Sequence, residues 1–388
     1  MDLRAYLSVS KRRKAVEENI GVDLSNIGKY SISEELASSK NCENMIGTIQ
    51  VPLGIAGPLK VQFCNAESKF KVQSCYIPLA TTEGALVASV ARGCKAITLS
   101  GGATVVSQKI GITRAPVFVV ENILDGKKFV DWVYSNMSQL KKIVESSSSH
   151  LHLLAVKPTS MGRNVYLRFR FDSEDAMGMN MATIAVTKVA EFIKGKIQVR
   201  CVAVSGNMCV DKKPNFLNFI TGRGYSVSAE ALIPQKIVNS VLKTNISDIV
   251  EVGQRKLMYG SLLSGSIGAN AHFANILAAT FISTGQDVAH VGECCVGITT
   301  VETLKGNLYV SVYLPDLVVG TVGGGTALET QKEALSIMGI VGGNSGRNAR
   351  KLAEIIGGAI LAGEVSLLAS LAEGSLASAH QKLGRGAK

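Results

Sequence analysis

The chain has 388 residues, 46% hydrophobic and only 18% charged, with a net charge of +11. That balance excludes a disordered protein and supplies a core large enough for two or three structural units. The positive charge suits an anionic partner, yet aromatics are only 5% and the basic residues are scattered, so the stacking rings and basic stripe of a nucleic-acid binder are missing. Eight cysteines without C-x-x-C or framework spacing point to reduced thiols. The charged start "MDLRAYLSVSKRRK" lacks the apolar core of a signal peptide, and a cytoplasmic protein is expected.

Residues 1–42 read as short helices, with Lys11, Arg12, Arg13 and Lys14 on an exposed one. From Met45, "MIGTIQVPLGIAGPLKVQF" alternates short apolar runs with Gly and Pro, and Thr82–Leu99 then takes on helical character. Next come Val117–Val120 (strand), Asp131–Ser146 (helix), Leu151–Val156 and Val165–Phe171 (strands), Met179–Ile193 (helix) and Ile197–Val204 (strand). That order, strand-helix-strand-strand-helix-strand, is ferredoxin-like, and its place inside the chain suggests an inserted domain. After Pro214 the pattern is mostly helical, broken by a strand ladder at Leu308–Val319. Two apolar stretches have the length or composition to prompt a membrane check. Gly260–Gln286 contains Asn270, His272 and Asn275, and Ile355–Ala372 is interrupted by Glu364, so both read as buried helices and no membrane span is expected. The fold class is α+β.

Several short stretches carry chemistry. "ATTEGALVAS" sets Glu83 in the first turn of an apolar helix, where a carboxylate either meets the helix dipole or, desolvated, becomes a proton donor. "DSEDAMGMNMAT" ends a strand and opens a helix; Asp175 and Asn180 beside Met177 and Met179 offer a polar, soft surface for a flat heteroaromatic ligand, although such methionines are usually core filler. "VRCVAVSGNMCVDKKPN" ends on Asp211, Lys212 and Lys213 before Pro214, which taken alone reads as a solvated turn. "STGQDVAH" places Asp287 after an uncharged run and calls for a cationic partner. In "GTVGGGTALETQKEAL" the glycines free N–H groups for an anion, and Thr326 with Glu329 reads as a capping box. His380 ends a Gly/Ala-rich helix as a dipole partner or a mobile general acid. His150 and His152 lack a third ligand of fitting spacing, so no metal is expected.

In order, "ENMIGTIQVPLGIAGPL", "ATTEGALVAS", "GITRAP", "GRNVYLRF", "DAMGMNM", "SGNMCVDKKPN", "GRGYSVSAEALIP", "GSIGANAHFANI", "GQDVAH", "GTVGGGT" and "SAH" resemble the catalytic portion of 3-hydroxy-3-methylglutaryl-CoA (HMG-CoA) reductase, of the class I kind shared by eukaryotes and archaea. The likeness runs from about Glu43 to Arg385. It implies reduction of HMG-CoA to mevalonate and CoA with two NADPH. It also implies roles: Lys212 stabilising the thioester oxygen, Glu83 donating protons, Asp287 setting the charge of both, and His380 protonating the CoA thiolate. Arg114, Ser205, Asp211, Lys213, Lys256 and Asn275 match substrate positions, and Arg92 one near CoA. Asp175, Met177, Asn180, Val322 and Gly323 match cofactor positions.

The resemblance further implies an N-terminal helical region (1–42), a large HMG-CoA-binding domain (43–114 and 215–388), a small ferredoxin-like NADP(H) domain (115–204) and a catalytic connecting loop (205–214). At least a homodimer with shared sites is expected. This chain departs from eukaryotic relatives in three places. Ser148-Ser149-His150 stands where they carry a Ser-Arg-Phe that meets the 2′-phosphate, which leaves NADH open beside NADPH. Ala379 replaces a serine next to the histidine, and Gly386 replaces a regulatory serine. The same residues would also serve NAD-dependent oxidation of mevalonate; a non-catalytic basic nucleic-acid binder is the reading of another class.

Overall fold

A computed structural model describes residues 6–64 and 70–374. It opens with α1 (Val9–Ile20) and α2 (Glu34–Lys40), started by Ser8 and Ser33, whose hydroxyls accept first-turn N–H groups. The basic run on α1 is not wholly solvated. Arg12 Nε donates to the Met45 carbonyl at 2.7 Å and Arg13 to that of Ile46 at 3.2 Å, which ties α1 to the "NMIG" segment. The antiparallel pair β1 (Leu53–Cys64) and β2 (Phe70–Ala80) follows, then α3 (Leu86–Leu99) and β3 (Ala103–Arg114).

The next elements are β4 (Val117–Val119), α4 (Ile123–Ser135), α5 (Met137–Glu145), β5 (His152–Met161), β6 (Asn164–Asp172), α6 (Met179–Lys194) and β7 (Arg200–Ala203). The helix expected over Asp131–Ser146 is thus two, divided at Asn136, whose side chain turns back to donate to the Trp132 carbonyl. The strands lie in the order β7-β4-β6-β5, each pair antiparallel, a split β-α-β arrangement. Alternation along β6 sends Val165, Leu167, Phe169 and Phe171 into the core and Tyr166, Arg168 and Arg170 to the opposite face.

A loop over residues 204–215 leads to α7 (Phe216–Thr221), β8 (Arg223–Ile233), α8 (Gln235–Ile237) with a π-helical continuation, and α9 (Ile246–Val252). A π-helical stretch (Gly253–Gly260) runs into α10 (Ser261–Ser264). Then come α11 (Phe273–Thr284), α12 (Val291–Cys294), β9 (Ile298–Leu304), β10 (Asn307–Leu317), α13 (Glu329–Ile337) and α14 (Arg347–Glu373). The sheet path is β7-β4-β6-β3-β8-β10-β9, with β1 and β2 attached at β3 and β5 at β6. The α+β class holds, but the part after Pro214 is less helical than expected, since β8 and β9 join β10. In β8 the alternating burial is regular; its two alanines and one glutamate, all poor strand formers, disguised it.

The uncharged stretch from Gly260 to Gln286 is also not one helix. "GSIGANAH" separates α10 from α11, and there Gly265 and Gly268 take φ of 67° and 89°, a backbone that costs other residues energy. By length and composition α14 is able to cross a membrane, yet 78% of its apolar window is buried within the fold, against α3, β8 and α11. A Cβ on Gly93 of α3 would sit 1.9 Å from the Ala362 carbonyl oxygen, so that glycine lets the two helices meet. Glu364, buried on α14, accepts the N–H groups of Ala271 and His272 at 2.8 Å each and the Thr299 hydroxyl at 2.7 Å. It holds the entry to α11.

Candidate active site

The loop between β7 and α7 is shaped by backbone that side chains rarely adopt. Asn207, Val210 and Lys212 have φ of 63°, 50° and 61°, conformations that cost roughly 1–3 kcal/mol each and persist only where the surroundings enforce them. The enforcement is visible at Lys212, whose N–H donates to Glu293 Oε1 at 3.1 Å. Its ammonium then meets Asp287 Oδ2 at 2.6 Å, each side chain 39% exposed. Burial alone would raise the Asp287 pKa, but the bond from Lys212 and the nearby His290 outweigh it, and the carboxyl titrates below its usual range. The cation demanded by Asp287 is therefore Lys212. Asp287 Oδ1 also accepts the Ala289 N–H at 3.1 Å.

Beneath the loop lies a buried polar network absent from the sequence expectations. Arg223 is fully buried at the start of β8 and donates to Glu293 at 2.7 Å, Asp211 at 2.9 Å and Thr113 Oγ1 at 3.0 Å. Glu293 also accepts from His290 Nδ1 and, at 3.3 Å, from Asn218 Nδ2. Burial pushes Glu293 up, while His290 and Arg223 pull it down further, so it stays a carboxylate. Among the described residues His290 Nε2 has no hydrogen-bond partner; it lies 3.8 Å from both Asp211 and Asp287. Asp211, His290 and Glu293 bring three potential metal ligands within 4.8 Å, but the Arg223 guanidinium already binds two of them. Asp211 and Glu293 thus serve a protein cation, and His290 bonds Glu293.

Asp211 also faces Arg114, at 3.9 Å, and Arg114 donates to Ser205 Oγ at 3.2 Å. Lys213 Nζ folds back onto the Asp211 carbonyl at 3.0 Å. Arg114, Ser205, Asp211, Lys212, Lys213 and Asp287 therefore share one locality. Asp287 also lines a cleft of about 680 Å³ with Met177, Asn180, Val322, Gly323 and Thr326, a volume typical of small-molecule sites. Its walls are three segments packed backbone to backbone. A Cβ on Gly320 would lie 2.4 Å from the Met177 nitrogen, and one on Gly285 2.4 Å from Gly325.

Other expected residues fall elsewhere. Asp175 is buried and caps α14, its carboxylate accepting the N–H groups of Asn344, Gly346 and Ala349. The expected capping box at Thr326 is not formed: Thr326 bonds the Gly323 carbonyl, α13 is capped by Leu328 without a side-chain bond, and Glu329 accepts instead from the Ser33 N–H. Glu83 precedes α3 and does not sit in its first turn; it is exposed, with its N–H on Thr81 Oγ1. No hydrogen bond or ion pair joins Glu83 to Lys212 among the described residues. Arg92 is held by Ser366, Ser370 and Glu373 of α14. Lys256 is exposed on the π-helical stretch and Asn275 sits in the first turn of α11. Ser148 donates to Met181 Sδ, Ser149 is exposed, and His150 pairs with Glu174 at 2.9 Å. His380 lies outside the described residues, as do Ala379 and Gly386.

Compared with known proteins, the chain matches the family model described as hydroxymethylglutaryl-coenzyme A reductase over residues 8–385. It belongs to the hydroxymethylglutaryl-coenzyme A reductase family. The 3-hydroxy-3-methylglutaryl-coenzyme A reductase of Methanocaldococcus jannaschii is 51% identical over 96% of this chain and 92% of its own length; that of Pyrococcus abyssi is 50% identical over 98% and 93%. A solved class II 3-hydroxy-3-methylglutaryl-CoA reductase from Streptococcus pneumoniae, bound to NADPH in open conformations, has a TM-score of 0.68. It is 17% identical, over 94% of this chain and 97% of that one, which establishes the shared fold.

Proposed function

We propose that this reductase-family chain is a class I enzyme that reduces (S)-HMG-CoA to (R)-mevalonate and CoA with two NADPH, in the mevalonate pathway to isoprenoids. The class reading rests on about 50% identity to archaeal reductases against 17% to a class II structure. The observation that carries the chemistry is the Lys212–Asp287 pair at the rim of the glycine-lined cleft. Residues of that cleft fit a dinucleotide: Gly323 and Gly324 leave the backbone uncovered, and Met177, Asn180 and Val322 give an apolar wall with one amide. Bound NADPH supplies hydride. Lys212 stabilises the oxygen on which negative charge develops, Asp287 holds that ammonium in place, Arg114 and Ser205 hold the acyl group, Glu83 donates the proton to the reduced carbon's oxygen and His380 protonates the leaving thiolate.

Glu83, Lys256 and Asn275 reach this site from a second copy in the proposed homodimer. Support comes from the surface beside Lys256, where Met258, Tyr259, Leu262 and Leu263 are all exposed and form an apolar strip of the kind that marks association. The proposed setting is cytoplasmic, without a membrane. Incubation with HMG-CoA and NADPH is expected to oxidise two NADPH for each CoA thiol released; no thiol above background refutes the reading. Mixing Glu83→Gln with Lys212→Ala protein tests the shared site. About a quarter of wild-type activity is expected, because half of randomly paired dimers are mixed and each holds one intact site. No recovery removes the shared-site arrangement.

A further inference from the structure

A second cleft, of about 220 Å³, lies on the β5–β6 face turned away from the apolar core. Ala155, Lys157 and Thr159 of β5, Arg168 and Arg170 of β6, Met208, Leu217 and Thr221 line it. Lys157 stands opposite Arg168 in the strand register, and Arg170 is two residues on, so three cations share one side of one strand pair. None of them has an ion-pair partner among the described residues. Arg168 is only 6% exposed; one terminal nitrogen donates to Asn218 Oδ1 at 2.8 Å, while its Nε has no partner among the described residues. An orphaned guanidinium nitrogen in a buried side chain is costly.

The local electrostatics sharpen the imbalance. Burial, then the charges of Arg170 and Arg223, push the Arg168 pKa down to about 10. The carboxyl that opposes this is Asp316, whose own pKa burial, with Glu293 beside it, raises well above the usual carboxylate range. At about 30 Å³ per water the space holds roughly seven waters. That is below the ~300 Å³ at which sites for drug-sized ligands begin and suits an anion of phosphate size.

We propose that this cleft binds a small phosphorylated anion, with the Arg168 Nε–H, the Arg170 guanidinium, the Lys157 ammonium and the Thr159 hydroxyl as donors. Guanidinium forks match phosphate oxygens, and an ammonium adds a point charge. The reduction reaction uses none of these groups. The site is nevertheless linked to the Lys212 loop, because Asn218 joins Arg168 to the Val210 carbonyl at 3.1 Å and to Glu293.

The test is calorimetric titration of the full-length protein with inorganic phosphate, and separately with methyl phosphate, at ionic strength held constant with chloride. Saturable binding is expected, weakened at least tenfold in the Lys157→Gln/Arg170→Gln double variant. Tighter binding of the free anion or of the ester identifies which form the cleft takes. Because both substituted side chains are outside the proposed catalytic machinery, basal turnover of the variant stays within twofold of wild type, so the outcome is independent of the reductase assay. Equal affinity in wild type and variant assigns the phosphate to another locus and overturns the proposal, as does absence of saturable binding in wild type. Should the double variant fail to fold, Lys157→Gln alone is expected to weaken binding at least threefold, and an unchanged affinity there overturns it equally.

Discussion

Two buried glutamates, Glu293 and Glu364, are solvent-inaccessible and each anchors backbone from a distant part of the chain. Their surroundings differ. Glu364 is held by neutral donors, two N–H groups and a hydroxyl, at the start of α11, where a carboxylate meets the positive end of a helix. Glu293 is held by charged and titratable groups, Arg223 and His290, and by the N–H of a residue in strained backbone. The first arrangement fixes a helix; the second fixes the loop that carries the Lys212 ammonium, the group proposed to act on substrate. Buried charge in this protein thus does two jobs, separated by whether the anchored backbone belongs to a core element or to the loop carrying Lys212.

The largest effect should follow from Arg223→Met, which strips the loop-side network of its cation and leaves Glu293 and Asp211 facing each other. Breaking a buried pair from one side costs about 3–5 kcal/mol. A urea midpoint within error of wild type would show that the network contributes nothing to folding. Next comes Lys212→Ala. Its loss is expected to lower kcat by about 10²–10³-fold with the urea midpoint nearly unchanged, since the ammonium is partly exposed while its backbone N–H, which the substitution retains, makes the anchoring bond. A near-wild-type kcat would remove Lys212 from the chemistry.

On the helix side, Glu364→Gln turns an amide NH₂ toward one of three donors and should cost about 1–3 kcal/mol in stability. Properly folded enzyme should keep its kcat. A kcat loss larger than tenfold, with the midpoint unchanged, would erase the distinction between the two glutamates.

What the sequence made legible follows the same division. Asp287 follows an uncharged run and so calls locally for a cation, whereas Asp211, Lys212 and Lys213, contiguous before Pro214, read alone as a solvated turn and stood out only through the ordered series of motifs. Arg223, His290 and Glu293 did not stand out, because Arg223 and Glu293 are 70 residues apart and Lys212 and Glu293 are 81 apart; no local pattern connects them. The signal available was chemical: "GQDVAHVGECC" places His290 and Glu293 three and six residues beyond Asp287, in a run otherwise apolar. The capping role of Asp175 had no local signal, because the helix it caps begins at Arg347, far along the chain. The ferredoxin-like strand order was readable because local helix and strand periods alternate there. The split at "GSIGANAH" was not, since its residues are uncharged like the flanking helices and only its glycines betray the turn.

The smallest effect, and the finest test of the loop side, is in pH. The Asp287 pKa is lowered in the folded protein, so its contribution to stability is present above the unfolded value of about 3.9 and is lost as pH falls through the lower, folded value. Both partners of the pair are more than one-third exposed, and solvent screening limits the contribution to about 1 kcal/mol or less. Asp287→Asn should therefore lower Tm slightly at pH 6 and converge with wild type as pH drops below about 4. Added salt at 1 M, where the screening length is about 3 Å, should shrink the pH 6 difference. Parallel Tm curves from pH 6 to 3 would mean that Asp287 acts on Lys212 through placement alone, and the loop-side network would then owe its geometry to Glu293 and Arg223 without a charge contribution from the rim.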